Sequence, residues 1–152
     1  LHINASGNLK LQTSNLKLLD GMGDSTKDQW KWRYDMAQAM ADALDMDAFG
    51  VKAIYLIGSV KTGDVGPCSD IDLLAHCSPD KRKQALLRAW CEGWGLALSI
   101  ENACKTGYET KGSLVDLHII TDADIEQKDS FAVMLESVDN KPRLLRKQAD
   151  DE

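Results

Sequence analysis

Val51-Lys52-Ala53-Ile54-Tyr55-Leu56-Ile57 runs into Gly58-Ser59, and after a turn containing Gly63 and Gly66-Pro67 the chain reads Ser69-Asp70-Ile71-Asp72-Leu73-Leu74-Ala75-His76-Cys77. The first run is rich in β-branched and aromatic residues and predicts a buried strand that breaks at Gly58-Ser59. The second predicts another strand, carrying two aspartates at i and i+2. Successive side chains of a strand alternate between faces, so Asp70 and Asp72 are expected to project from one face. Two such anions repel and raise each other's pKa, and a divalent cation relieves that repulsion. Taken alone, Asp-x-Asp also fits an edge strand with a polar face. The Gly58-Ser59 break adds a second feature, because backbone N–H groups at such a turn can meet phosphate oxygens and glycine permits close approach.

Working outward, Ser25 is a candidate N-cap, and Trp30, Tyr34, Ala37, Met40, Ala41 and Leu44 follow at helical spacing up to Gly50. Trp30, Trp32 and Tyr34 are read as core-packing residues of that helix rather than as a base-stacking platform. After the Asp-x-Asp strand, Ser78-Pro79 supplies an N-cap and an N1 proline for a helix running to about Glu92, with Leu86, Leu87, Trp90 and Trp94 on its buried side. Leu96 to Ala103 and Leu114 to Ile120 read as two further strands, joined as a hairpin through Gly107 and Gly112. Thr121 is expected to cap a last helix. The resulting layout is a linker or loosely docked arm over 1–24, a domain over 25–137 and a polar C-terminal tail over 138–152. The absence of an initiator methionine and the polar first two dozen residues point to a piece of a longer polypeptide or a processed chain.

Composition narrows the partners. Of 152 residues, 18 are basic and 24 acidic, leaving a formal charge of −6, the opposite of the footprint of a general nucleic-acid binder. No stretch approaches the roughly 18 unbroken apolar residues of a membrane span. Cys68, Cys77, Cys91 and Cys104 form no Cys-x-x-Cys pair, and with no signal-like segment before them they read as reduced thiols of a cytoplasmic protein. Zinc is not expected, because the adjacent His76 and Cys77 face opposite sides of a strand.

Taken together, Gly58-Ser59, Gly63 and Ser69-Asp70-Ile71-Asp72, with the strand in front of them, resemble the signature of the DNA polymerase β-like nucleotidyltransferase superfamily, in particular its small single-domain members. The resemblance covers roughly Val51 to Cys77. It implies an α/β (α+β) fold, a mixed sheet of about four strands with helices packed on it. It also implies a third carboxylate on a later strand. Asp116, flanked by Val115 and Leu117, suits that place better than Glu101, which is followed by Asn102 and a polar stretch. His118 shares the strand face of Asp116 and reads as structural, with substrate contact as the alternative.

The chemistry implied by the resemblance is two-metal nucleotidyl transfer. Asp70, Asp72 and Asp116 would bind two Mg²⁺ ions, with Gly58, Ser59, Lys61 and Ser69 on the nucleotide side. A nucleoside monophosphate, AMP by expectation, would pass from an NTP to an acceptor hydroxyl with release of pyrophosphate. The pattern departs from the family at Thr62, where small members often carry a basic residue; here Lys61 stands one position earlier. A looser resemblance in the C-terminal half, through Cys91-Glu92-Gly93-Trp94, Thr106-Gly107-Tyr108 and Val115 to Ile125, is to a nucleotidyltransferase domain attached to larger phosphoenolpyruvate/pyruvate-binding, dikinase-like proteins. The acidic balance favours a small-molecule or protein acceptor over a long nucleic acid. The alternatives are a catalytically silent nucleotide-binding domain serving a larger enzyme and an acidic interaction module without metal.

Overall fold

The computed structural model describes residues 2–3, 9–10 and 26–150. Within the first two dozen residues, β1 (His2–Ile3) pairs antiparallel with β2 (Leu9–Lys10). The rest of the expected arm and the Ser25 cap lie outside the described residues. From there the order is α1 (Thr26–Ala43), α2 (Met46–Phe49), β3 (Val51–Ile57), α3 (Gly58–Thr62), β4 (Ile71–Cys77), α4 (Lys81–Thr106), β5 (Val115–Ile120), α5 (Asp122–Glu126), a 3₁₀ turn over Ala132–Glu136, and β6 (Arg143–Lys147). Four strands form one mixed sheet in the order β5-β4-β3-β6. β3 runs antiparallel to both β4 and β6, and β4 runs parallel to β5 with α4 as the crossover. Helices pack on the sheet, so the fold is α+β.

Period-2 alternation sorts the strand residues between two faces. Ile54 and Leu56 of β3, Ile71, Leu73 and Ala75 of β4, and Val115 of β5 join Ala37, Met40 and Ala41 of α1 and Leu87, Cys91 and Leu98 of α4 in the main core. The opposite face buries Ile57, Leu74 and Ile120 under Ala132, with Phe131, Met134 and Leu135 packed alongside. That second cover occupies only part of its face. Asp72, Asp116 and His118 stand on the same face by alternation with the buried Leu74 and Ile120, more exposed than those neighbours.

Three expectations change. The helix after β4 is capped by Asp80, whose side chain accepts from the backbone N–H groups of Arg82 and Lys83, and not by Ser78. It continues through 96–103, the segment expected as a strand. The Leu96, Leu98, Ile100 alternation suggested period 2, yet Leu96 and Ile100 are about half exposed, whereas Gln84, Leu87, Cys91, Gly95, Leu98 and Asn102 form a buried row at helical spacing. There is consequently no hairpin between 96–103 and 114–120. Finally, Arg143–Lys147, expected within the polar C-terminal tail, is the edge strand β6 paired with β3. Leu145 is its buried residue, while Arg146 donates to the carbonyls of Ala41 and Leu44, tying the strand to α1. A strand with one buried leucine among four more exposed residues offers little apolar signal.

Gly95 lets α4 lie directly on the entry to β5: its carbonyl accepts from Leu114 N at 3.0 Å, and a Cβ there would overlap Ser113 and lie 3.0 Å from the backbone nitrogen of Val115. Gly95→Ala raises helix propensity by roughly 1 kcal/mol. Overpacking costs typically about 1–3 kcal/mol and outweighs that gain. The variant is therefore expected to unfold at a lower urea concentration than the wild type.

Candidate functional site

The polar face comes together where β3 ends and β4 and β5 begin. The antiparallel register sets Ile57 opposite Asp72, and the parallel register sets Asp72 beside Asp116 and Leu74 beside His118. Strand pairing alone thus brings two carboxylates from distant parts of the sequence to adjacent strands. One donor atom from each of Asp72, Asp116 and His118 lies within 4.8 Å of the other two, and His118 Nε2 is 3.3 Å from Asp116 Oδ2. The His118 ring stacks on Phe131 with centroids 4.2 Å apart and planes inclined by 22°. Among the described residues this is the cluster whose donors fit a divalent cation. Two anionic oxygens and a ring nitrogen suit such an ion, and their spacing is that of ligands sharing one centre after small adjustments.

Asp70 stands just before β4 rather than within it, on the loop from Gly63, and its carboxylate is not one of the three clustered donors. That loop is held from beneath by Arg33 of α1, which is fully buried. Its Nε donates to the carbonyl of Ser69 at 2.9 Å and Nη2 to the carbonyl of Pro67 at 3.3 Å. Nη2 also reaches Asn102 Oδ1 at 2.8 Å, and Nη1 reaches Gln29 Oε1 at 2.7 Å. Asn102 in turn donates to the Pro67 carbonyl. Burial lowers the Arg33 pKa to about 10, a shift that Asp70 opposes, so the guanidinium stays charged at neutral pH.

The acids feel one another. Burial, then Asp116 and then Asp70 push Asp72 up to about 6, with His118 pulling the other way. Burial and the charge of Asp116 also raise Asp70, and Arg33 lowers it.

On the other side of Asp72 lies Gly58, with φ +70. A Cβ at this position would run into the Asp72 carboxylate, so the glycine keeps space for that acid as well as turning the chain into α3. Ser59 follows in α3, where its carbonyl accepts from Gly63 N and from the Thr62 hydroxyl. Lys61 donates to Asn140 Oδ1 at 3.0 Å, linking α3 to the segment before β6. The Ser69 hydroxyl accepts from Gly66 N, which shapes the loop leading to Asp70. Glu101 lies on α4, paired with Lys105 at 3.4 Å, outside the cluster that contains Asp116. His76 is at the far end of β4, where it meets Asp122 at 2.7 Å. Trp30 stacks on Tyr34 and donates to the Val60 carbonyl, so part of the aromatic cluster braces α3 against α1.

The signal for His118 was its spacing of two residues from Asp116. What pairing by sequence could not supply is Phe131, which reaches the ring from a segment without regular periodicity. All four cysteines are free thiols, and burial pushes Cys77 to about 11 and Cys91 to about 12, as expected of inert packing residues. No helix of the described residues is long and apolar enough to cross a membrane.

The model of the nucleotidyltransferase domain family matches residues 45–144, from the cap of α2 to the first residues of β6. The chain belongs to that family of transferases. Among solved structures, a protein of Sulfolobus solfataricus provisionally assigned as a nucleotidyltransferase aligns over 84% of this chain and 92% of its own, with 15% identity and a TM-score of 0.45. No curated protein matches the chain.

Two measurements follow from the geometry. The folded state holds the Asp72 proton more tightly than the unfolded chain, whose carboxyl titrates near 4. The stability this group contributes is therefore full below about pH 4 and lost as pH rises through about 6. With EDTA present, the urea midpoint is expected to fall over that window, and Asp72→Asn should flatten the decline. Gly58→Ala, strained at positive φ and crowding Asp72, is expected to lose about 1 kcal/mol or more in the same assay.

Proposed function

We propose that this domain transfers a nucleoside monophosphate, AMP in the first instance, from an Mg²⁺-type NTP complex to a hydroxyl of a small molecule or protein, releasing pyrophosphate. The observation that carries the proposal is the pairing of Asp72 with Asp116 on parallel strands, beside the Gly58 turn and within electrostatic reach of Asp70. Asp70, Asp72 and Asp116 would hold the divalent cations. A cation bound there supplies charge neutralisation to the phosphates and to the entering hydroxyl.

The chain's own contribution is placement. Gly58 and Ser59 would offer backbone N–H groups and a hydroxyl to the phosphate tail, and Lys61 and Ser69 would join them on the nucleotide side. Asp116, on the outer strand of the pair, faces the acceptor and orients its hydroxyl toward the α-phosphorus. Arg33 keeps the Asp70 loop at its height relative to β4, so that no reorganisation is needed when substrate arrives. The net charge of −6 argues for an acceptor that is not a phosphate polymer, since a polymer would call for a basic track. A place in the cytoplasm and attachment to a larger dikinase-like enzyme are consistent proposals from the sequence.

Incubating the protein with Mg²⁺ and either α- or γ-labelled ATP, together with a cell extract, tests the reading. Label from the α position is expected on an acceptor, with the γ label leaving as pyrophosphate. Asp116→Asn should stop transfer while sparing much of the nucleotide binding. Nucleotide binding without transfer in any extract would favour the silent, ligand-sensing reading, and full transfer by Asp116→Asn would remove that residue from the site.

A further inference from the structure

We propose that His118 is itself a ligand of the divalent cation, making the centre a mixed oxygen–nitrogen site that takes first-row transition ions such as Co²⁺ or Mn²⁺ more tightly than Mg²⁺. The proposal rests on the nucleotidyltransferase reading of this site and changes its donor set. Three observations carry it. First, residues 116 and 118 point to one face of β5, and the register places His118 opposite Leu74, two positions beyond the Asp72–Asp116 pair, so the three side chains converge from two adjacent strands. Second, a ring nitrogen of His118 is among the three donors within 4.8 Å of one another, whereas the Asp70 carboxylate is not. Third, the ring is aimed. It lies flat against Phe131, and its Nε2 is directed at Asp116 at 3.3 Å.

The chemistry of that donor set decides the preference. Mg²⁺ dehydrates reluctantly and favours an all-oxygen octahedron, so an imidazole adds little to its binding. Mn²⁺, Co²⁺, Ni²⁺ and Zn²⁺ accept imidazole nitrogen readily, with affinity rising along the Irving–Williams series. Two carboxylates and one imidazole are therefore a better match to those ions than to Mg²⁺. Phe131 acts here as a positioning residue, holding the ring plane so that Nε2 need not search for the metal.

Calorimetric titration of the intact chain with Mg²⁺, Mn²⁺ and Co²⁺, without nucleotide, tests this. The wild type is expected to bind Co²⁺ at least about tenfold more tightly than Mg²⁺, and His118→Ala to lose about tenfold or more in Co²⁺ affinity while Mg²⁺ affinity changes less than about twofold. Asp72→Asn should weaken both ions. Because a variant can misfold, NMR of the wild type supplies a second readout: Co²⁺ should move the His118 ring protons into the hyperfine-shifted range. Equal affinities for Co²⁺ and Mg²⁺ in the wild type, or unshifted His118 protons with Co²⁺ bound, would overturn His118 as a ligand and leave the nucleotidyltransferase reading standing. Binding of neither ion, with or without ATP, would overturn both.

Discussion

A positive charge with no access to water lies under the loop that leads to Asp70. Arg33 donates to the carbonyls of Pro67 and Ser69, to Asn102 of α4 and to Gln29 of its own helix, so a single guanidinium joins α1, α4 and the segment that delivers Asp70. Removing a charge of this kind from water costs several kcal/mol, and the cost is met only while its partners keep their positions. The loop therefore cannot drift without stranding the arginine. Its planar fork serves backbone carbonyls and side-chain amide oxygens at once, which a lysine would not reproduce. α1, which carries it, precedes the region matched by the family model.

Above that anchor, the acids are arranged at an electrostatic disadvantage. Asp72 is partly buried beside Asp116 and near Asp70, and burial is the largest single cause of its raised pKa. A fold stabilised for its own sake would not gather three carboxylates at one end of a sheet. The arrangement is useful to a centre that acquires positive charge from a cation, and the space kept by Gly58 has the same sense: a side chain there would fill the region in which Asp72 must remain free.

The parts legible in the sequence are those in which local chemistry and tertiary role agree. Val51–Ile57 and Ile71–Cys77 combine β-forming residues with abrupt glycine or proline boundaries, and Thr121 has Asp124 at the right offset to complete a capping box. The strand position of Asp116 was legible because apolar neighbours flank it on both sides. The misread parts are those where two periods coexist. In 96–103 the leucines and Ile100 alternate, while the buried positions Gly95, Leu98 and Asn102 follow the helix, and two of these are a glycine and an asparagine. A hydrophobicity pattern cannot register residues buried for their smallness or for a hydrogen bond. β6 was hidden for the converse reason: it contributes one buried leucine, and its place is set by backbone pairing with β3 and by Arg146. Arg33 gave no sequence signal, since its burial depends on carbonyls more than thirty residues away.

The sheet order has a temporal side. β3 and β4 are neighbours in sequence and meet early, and β5 joins them through α4, but the other edge of β3 waits for Arg143–Lys147, some ninety residues downstream. Contacts of such separation close late because loop entropy must be overcome first. During synthesis, then, the strand that ends in the Gly58 turn spends time with a bare edge, open to pairing with whatever extended segment is near. The arginines and lysine of Arg143-Leu144-Leu145-Arg146-Lys147 make its eventual occupant a poor partner for other copies of itself, so the last strand to arrive both completes the sheet and closes it with charge.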